Sequence, residues 1–210
     1  TLFRSKSVDT SLAENISTKS WLDSDMDENT TALFEKYSDV IGNPKEHVGY
    51  NAEERTSNEL RTTGAKLMME YGQKLWGNQY DIVLGGGYLS VRSPFKLTAG
   101  FKTVEDIFNL FPFDNDIILC SATGAFLKKY YMKSTNSSYF ISYNTGYSSS
   151  SNLSDTQIYY FVTDTFGSDY YMYGNGYRLD NQFKIVEQPE EACYLRDLMG
   201  IYIRKGGYSS

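Results

Sequence analysis

The chain has 210 residues, of which 40% are hydrophobic and 22% are charged, and its formal net charge is -6 at pH 7. This length and composition are typical of one large globular domain, or of one domain with an arm. The negative charge gives no electrostatic footprint for nucleic acid or for an anionic membrane. No apolar run approaches the roughly 18 residues of a membrane span. We therefore expect neither a nucleic-acid partner nor a membrane span in this segment.

Histidine and cysteine are scarce, which restricts the chemistry. The single histidine, His47, lies in "GNPKEHVGY", which contains no nucleophile motif, and we interpret it as a solvated loop residue. A dinuclear metal centre usually needs several His and Asp ligands, so we expect no metal site or other cofactor and no catalytic residue in this chain. Cys120 and Cys193 lack metal-ligand spacing. Two free thiols and one bridge between them are both compatible with the sequence.

Residues 1–29 are polar, contain the acidic run "DSDMDEN", and predict an arm or linker. The run lacks the spacing of a calcium loop, so we interpret it as solvated. A domain over residues 30–210 follows. Its first helix is predicted at 29–42, before Gly-Asn-Pro. A longer helix is predicted at 57–76, where apolar residues recur at spacings of three and four and Ser57 is the expected cap.

Beyond residue 80, short strands and helices are interleaved irregularly, and several neighbouring strands are joined as hairpins. Alternation and turn residues predict the strands, and capping residues and apolar stripes predict the helices. The predicted strands are 80–84, 96–99, 116–124, 138–144, 156–163 and 183–188. The predicted helices are 103–112, 124–132 and 189–206, the last beginning at Pro189. This order predicts an α+β domain with a mixed sheet rather than a doubly wound fold.

Three consecutive glycines, Gly85, Gly86 and Gly87, directly follow the predicted strand "YDIVL". They do not form a GxGxxG or Walker A motif. Two interpretations remain: a tight flexible turn, or a backbone that passes close to a ligand because no side chain intervenes. Arg92 follows, and it either reaches a phosphate or another acidic group or forms a surface salt bridge. We expect at least one of the glycines to have positive φ.

Four motifs occur in a characteristic order: "LGGGYLSVR", "FPFDN", "TGAFLKKY" and "SDYYMYGNGY". Together they resemble the signatures of the C-terminal domain of the 5′-nucleotidase family, which read "NGGGIR", then "LPFGN", then a "TG" that starts a short helix, and "NDFLASGGDGY". The family includes UDP-sugar hydrolases and 2′,3′-cyclic nucleotide phosphodiesterases. The resemblance covers roughly residues 30–205.

The resemblance implies a nucleoside-specificity domain, while a separate N-terminal domain of the same polypeptide carries two divalent metals and performs the hydrolysis. This chain alone would then not be catalytic. The base would lie between two rings, Phe113 and Tyr170, and Asn175 matches an aspartate that contacts the ribose. The alternative to a role in base binding is that Phe113 is a residue of the hydrophobic core and that Tyr170 is an ordinary tyrosine of a strand. The resemblance also implies an extracellular or cell-surface location.

Three positions depart from the family pattern: Leu84 replaces the asparagine before the glycines, Leu89 replaces the arginine after them, and Tyr173 replaces a later glycine. Losing hydrogen-bonding groups weakens discrimination between ligands. Two hypotheses follow. The chain is the nucleotide- or nucleoside-binding domain of a secreted metallophosphoesterase, or it is a degenerate copy of the fold that acts as a non-catalytic binding or structural module at the cell surface.

Overall fold

The computed structural model describes residues 45–132, 139–147, 152–169 and 183–209. The predicted arm and the predicted helix at 29–42 lie outside the described residues, and so do Tyr170, Tyr173 and Asn175. The described strands are β1 (His47–Asn51), β2 (Arg55–Thr56), β3 (Ile82–Tyr88), β4 (Lys96–Leu97), β5 (Gly100–Thr103), β6 (Ile117–Thr123), β7 (Tyr139–Tyr143), β8 (Ile158–Asp164) and β9 (Phe183–Glu187). The described helices are α1 (Ser57–Trp76), α2 (Val104–Leu110), α3 (Gly124–Phe126), which continues as a π-helical turn at Leu127–Tyr131, α4 (Thr165–Asp169) and α5 (Leu195–Arg204).

A five-stranded mixed sheet forms the centre of the described structure, with the strand order β7-β3-β8-β6-β9. β3 and β8 pair in parallel, whereas β7, β6 and β9 join by antiparallel pairing. Two small antiparallel ribbons, β1–β5 and β2–β4, lie outside this sheet. The α+β prediction with a mixed sheet is therefore confirmed.

The N-cap of the long helix α1 lies one residue before the predicted cap. Thr56, not Ser57, is the N-cap, and Thr56 and Glu59 form a complete capping box. The backbone N–H of Thr56 donates to the Glu59 carboxylate at 2.8 Å, which lowers the pKa of Glu59. The apolar stripe of the helix is buried: Met68 packs with residues of the sheet, whereas Leu60 packs with residues of α2, α5 and the small ribbons.

The three glycines lie inside β3 rather than after it, which corrects the predicted strand end at residue 84. Gly86 has φ 121° and Gly87 has φ 147°, so the positive φ expected here is confirmed, although the segment is not a turn. A Cβ on Gly85 would lie 2.6 Å from the Cα of Met69. The missing side chain thus lets α1 pack directly on the strand backbone.

Two further sequence predictions need correction, and the open question of the cysteines is settled. The last helix begins at Leu195 rather than at Pro189, because Tyr194 pairs with Asp116 as an isolated β-bridge. His47 is exposed, but it starts β1 instead of lying in a loop. Cys120 is buried, Cys193 is half-buried, and both are free thiols.

The pairing of β3, β8 and β6 determines where a site can form. Because β3 and β8 run in parallel, their carboxyl ends meet at one edge of the sheet. Because β6 is antiparallel to β8, the loop that enters β6 at Ile117 lies at the same edge, opposite Asp164. Crevices beyond the carboxyl ends of parallel strands are common ligand sites.

Among the described helices, none is long and apolar enough to cross a bilayer.

Candidate functional site

A cleft of about 180 Å³ opens at this edge of the sheet. We call it the Phe113 cleft. Its walls come from the end of β3, the segment between α2 and β6, the junction of β8 with α4, and the start of α5. The lining residues are Tyr88, Leu89, Ser90, Arg92, Phe111, Phe113, Asn115, Asp164, Phe166 and Leu195. Pockets that bury drug-sized ligands measure about 300–1,000 Å³, so the described walls suit a single ring system with a small polar group.

Arg92 and Phe113 form the cationic and aromatic pair of the cleft. The guanidinium carbon of Arg92 lies 4.7 Å from the centroid of the Phe113 ring. The backbone N–H of Arg92 donates to the carbonyl of Leu110 at 2.9 Å, which ties the arginine to the end of α2. Phe113 is 42% exposed, so a large part of the ring remains open to solvent. An exposed cation–π pair is worth only about 0.5–1 kcal/mol, which is weak enough for a ligand to rearrange it.

A second aromatic pair lines the same cleft. Tyr88 ends β3 and Phe166 lies in α4, and their ring centroids are 5.6 Å apart with an interplanar angle of 52°. Phe166 is 42% exposed. The cleft therefore has one aromatic ring at the end of β3 and another just after the end of β8. A planar ligand can stack on these rings.

Polar groups lie between these aromatic walls. Asp164 is 6% exposed, and its carboxylate accepts a hydrogen bond from the backbone N–H of Gly167 at 2.6 Å. This bond caps the start of α4 and holds Phe166 in place, because Phe166 lies between the two bonded residues. Asn115, which is half-buried, supplies a side-chain amide to the cleft.

The segment that carries Phe113 is also acidic. Burial raises the pKa of Asp116, and the neighbouring Asp114 carboxylate raises it further. Beside this segment, burial raises the pKa of Asp197 at the start of α5. Arg196 pairs with Asp114, and its charge acts to lower the pKa of Asp197.

The structure brings together two of the predicted site residues, Arg92 and Phe113. The predicted glycines do not line the cleft. A Cβ on Gly86 would collide with the carbonyl oxygen of Phe140, and one on Gly87 would lie 2.8 Å from Oγ1 of Thr163. Their backbone therefore approaches other parts of the protein, while the residues just after them reach the cleft.

Tyr170 and Asn175 lie outside the described residues, so their assignment to the cleft stays a prediction. Sequence reasoning missed Tyr88, Asp164 and Phe166. The signal available for Asp164 and Phe166 was the strand end followed by "DTFG", in which an aspartate can cap a short helix. Within residues 45–132, 139–147, 152–169 and 183–209, no group of three or more His, Cys, Asp or Glu side chains could hold a metal ion.

Comparison with known proteins supports the fold but leaves the chemistry open. No family model matches the sequence, and no curated protein matches it. Many solved chains match this one, and three examples cover 84–88% of it. They are the 5′-nucleotidase precursor from Thermus thermophilus (TM-score 0.51, 13% identity, 84% of this chain and 40% of that one), the NAD nucleotidase from Haemophilus influenzae (0.50, 13%, 86% and 39%), and a putative 5′-nucleotidase from Staphylococcus aureus in complex with α-ketoglutarate (0.52, 11%, 88% and 42%).

This chain therefore resembles nucleotidases in fold, and the resemblance inferred from the four motifs is confirmed at that level. The chain spans about two-fifths of the length of each of these proteins. At 11–13% identity the similarity defines an architecture only, because one fold hosts many functions. What the chain binds must be argued from the Phe113 cleft.

Proposed function

We propose that this chain is the nucleotide- or nucleoside-binding domain of a metallophosphoesterase, and that the Phe113 cleft receives the base. The observation that carries the proposal is the pairing of Arg92 with Phe113 in an aromatic-lined cleft, on a fold that resembles nucleotidases. Every base has a π face, and stacking on an aromatic side chain is worth about 1–3 kcal/mol per base.

The hydrolysis is assigned to a further domain of the same polypeptide, which would hold two divalent metals. The basis is the sequence of this chain, whose single histidine, His47, is exposed at the start of β1 and does not line the cleft. Closure of one domain on the other would bring the phosphate of a bound nucleotide to those metals. A secreted or cell-surface location is part of the proposal and rests on the motif resemblance.

A second candidate function is a non-catalytic binding or structural module. The observation that favours it is the burial of two leucines at positions where the family signature has polar residues. Leu84 is fully buried, and Leu89 is 1% exposed. Both side chains join hydrophobic clusters. The cleft thus lacks the two hydrogen-bonding groups that the signature places there.

A variant without the Phe113 ring distinguishes between the two candidate functions. We expect Phe113→Ala to weaken adenosine and uridine binding by about 5- to 150-fold, the equivalent of the stacking energy of one base. The measurement is isothermal titration calorimetry on the wild-type chain and the variant. The matched control is Phe101→Ala, because Phe101 is 71% exposed on β5 and does not line the cleft. No nucleoside or nucleotide binding by the wild type would favour the second function.

The charge of Arg92 is tested separately. We expect Arg92→Met to weaken the binding of AMP and NAD by about 10- to 150-fold, because a hydrogen bond to a charged group contributes about 1.5–3 kcal/mol. Adenosine affinity should change little, since the methionine stem still covers Phe113. The control is Lys96→Met, which removes the same charge from the exposed pair of Lys96 with Glu54. α-Ketoglutarate serves as a base-free anion: if only this compound binds, the cleft recognises anions rather than bases.

A further inference from the structure

An ion pair with one buried partner stands next to Phe113 in the chain. The side chain of Arg196 is 2% exposed, and its Nη2 donates to Oδ1 of Asp114. Asp114 follows Phe113 in the chain, and Arg196 follows Leu195, which itself lines the cleft. The pair therefore joins the start of α5 to the segment that presents the aromatic ring.

The guanidinium of Arg196 contacts two aromatic rings. Its central carbon lies 4.5 Å from the ring centroid of Tyr194 and 5.1 Å from that of Phe108 in α2. In the described part of the chain, its Nε and Nη1 have no hydrogen-bond partner. The remaining nitrogen, Nη2, is aimed at Asp114. This arrangement leaves the arginine little freedom, so Asp114 is bound at a fixed place.

The segment between α2 and β6 is anchored by backbone bonds at both ends. The N–H of Phe111 donates to the carbonyl of Ile107 at 3.0 Å, and the N–H of Ile117 donates to the carbonyl of Cys193 at 2.9 Å. The ion pair of Asp114 adds a side-chain anchor between these two points, next to Phe113. The segment is thus held at three points, one of which is the residue that follows Phe113.

We propose that Arg196 is a positioning residue for the Phe113 cleft, which acts through Asp114 to fix the orientation of the Phe113 ring toward the ligand. The inference deepens the proposed function and rests on it. Arg196 does not line the cleft. Its effect on binding arises because a ring that samples several orientations must be ordered when the ligand binds, and this ordering reduces the affinity.

Arg196→Met is the informative variant. Methionine is apolar and flexible enough to pack between Phe108 and Tyr194, so no charge is left in the buried site. Asp114, whose side chain is 50% exposed, returns to water. The variant thus removes the tether while the fold is retained. Arg196→Lys keeps the charge but replaces the planar donor by a single ammonium, and we expect it to restore part of the lost affinity.

The experiment combines a ligand-free and a ligand-dependent measurement. A 4-fluorophenylalanine is placed at position 113, and the ¹⁹F resonance is recorded without ligand. Adenosine affinity and the urea unfolding midpoint are measured on the unlabelled chain. For Arg196→Met we expect a shifted or broadened resonance, about tenfold weaker adenosine binding, and an unfolding midpoint close to that of the wild type. The matched control is Arg204→Met, since Arg204 pairs with Glu46 at 2.9 Å at the other end of the same helix. We expect neither the ¹⁹F resonance nor the adenosine affinity of this variant to change, and its unfolding midpoint should stay close to that of the wild type.

Each outcome supports or overturns the inference. An unchanged resonance in Arg196→Met means that Arg196 does not orient the ring, and a changed resonance with unchanged adenosine affinity means that its orientation is irrelevant to binding. Either result overturns the proposal. If the wild-type chain binds neither adenosine nor AMP, the proposed function fails instead. The ¹⁹F spectrum then still shows whether Arg196 positions Phe113, so the two failures are distinguishable.

Discussion

Gly85→Ala is expected to lower the free energy of unfolding by about 3 kcal/mol, the upper end of the range for overpacking a core. An added Cβ would lie 2.6 Å from both the Cα and the N of Met69 and 2.8 Å from its Cβ. The first two atoms belong to the backbone of α1, so no rotamer change can relieve the collision, and the helix must move away from the sheet. Urea unfolding of the wild type and the variant measures the loss.

The matched control is Gly100→Ala. Gly100 has φ 102°, and a Cβ there would meet nothing within 4 Å. Only backbone strain opposes this substitution, about 1–3 kcal/mol, and no neighbouring element has to shift. Gly85 does not have positive φ, so its cost is steric. A loss for Gly85→Ala of a few tenths of a kcal/mol would contradict the close contact between α1 and β3.

This contact explains why the glycines could not be interpreted from the sequence. A glycine run permits a turn, a ligand contact or close packing, and the pattern alone favours none of them. The deciding partner of Gly85 is Met69, which precedes it on another element. Only the packing of α1 against the sheet shows that the space beside the strand is already filled.

Long-range pairing also explains the missed helix start. A proline followed by two glutamates is a strong local signal for a helix N-terminus, and it favours Pro189. The chain instead stays non-helical up to Tyr194, because the carbonyl of Cys193 accepts from Ile117 N–H and Tyr194 bridges Asp116. Tertiary hydrogen bonds thus outweigh the local preference. By contrast, α1 was predicted at its observed bounds because its long 3.6-residue periodicity is a local property.

The candidate site was predictable in part for the same reason. Arg92 and Phe113 belong to motifs that can be recognised as short strings. Phe166 joins them only because β3 and β8 pair in parallel, a pairing of strands that are far apart in the sequence. The ribbon of β1 with β5 was not predicted either, since both strands are short and contain glycine, which weakens the strand signal.

The two partners of the Arg196–Asp114 ion pair are unequally buried, which leads to a second large expected effect. Arg196 is 2% exposed, whereas its partner Asp114 is 50% exposed. If Asp114 is truncated, the guanidinium keeps its charge in a buried site. If Arg196 is replaced by methionine, the carboxylate is hydrated where it already meets water. The cost of breaking the pair therefore depends on which partner is removed.

Asp114→Ala is expected to lower the free energy of unfolding by about 3 kcal/mol, the lower end of the cost of leaving a buried charge without its partner. Arg196→Met should cost about 1 kcal/mol or less, because apolar replacements of buried charges are often neutral. The double variant Asp114→Ala with Arg196→Met should then be more stable than Asp114→Ala alone, since the unpaired charge is gone. Urea unfolding at pH 7 of all four proteins gives the double-mutant cycle, whose coupling energy is expected to exceed about 1 kcal/mol. Equal losses for the two single variants would mean that the guanidinium is hydrated in solution, and the tether proposed between Arg196 and Asp114 would then not exist.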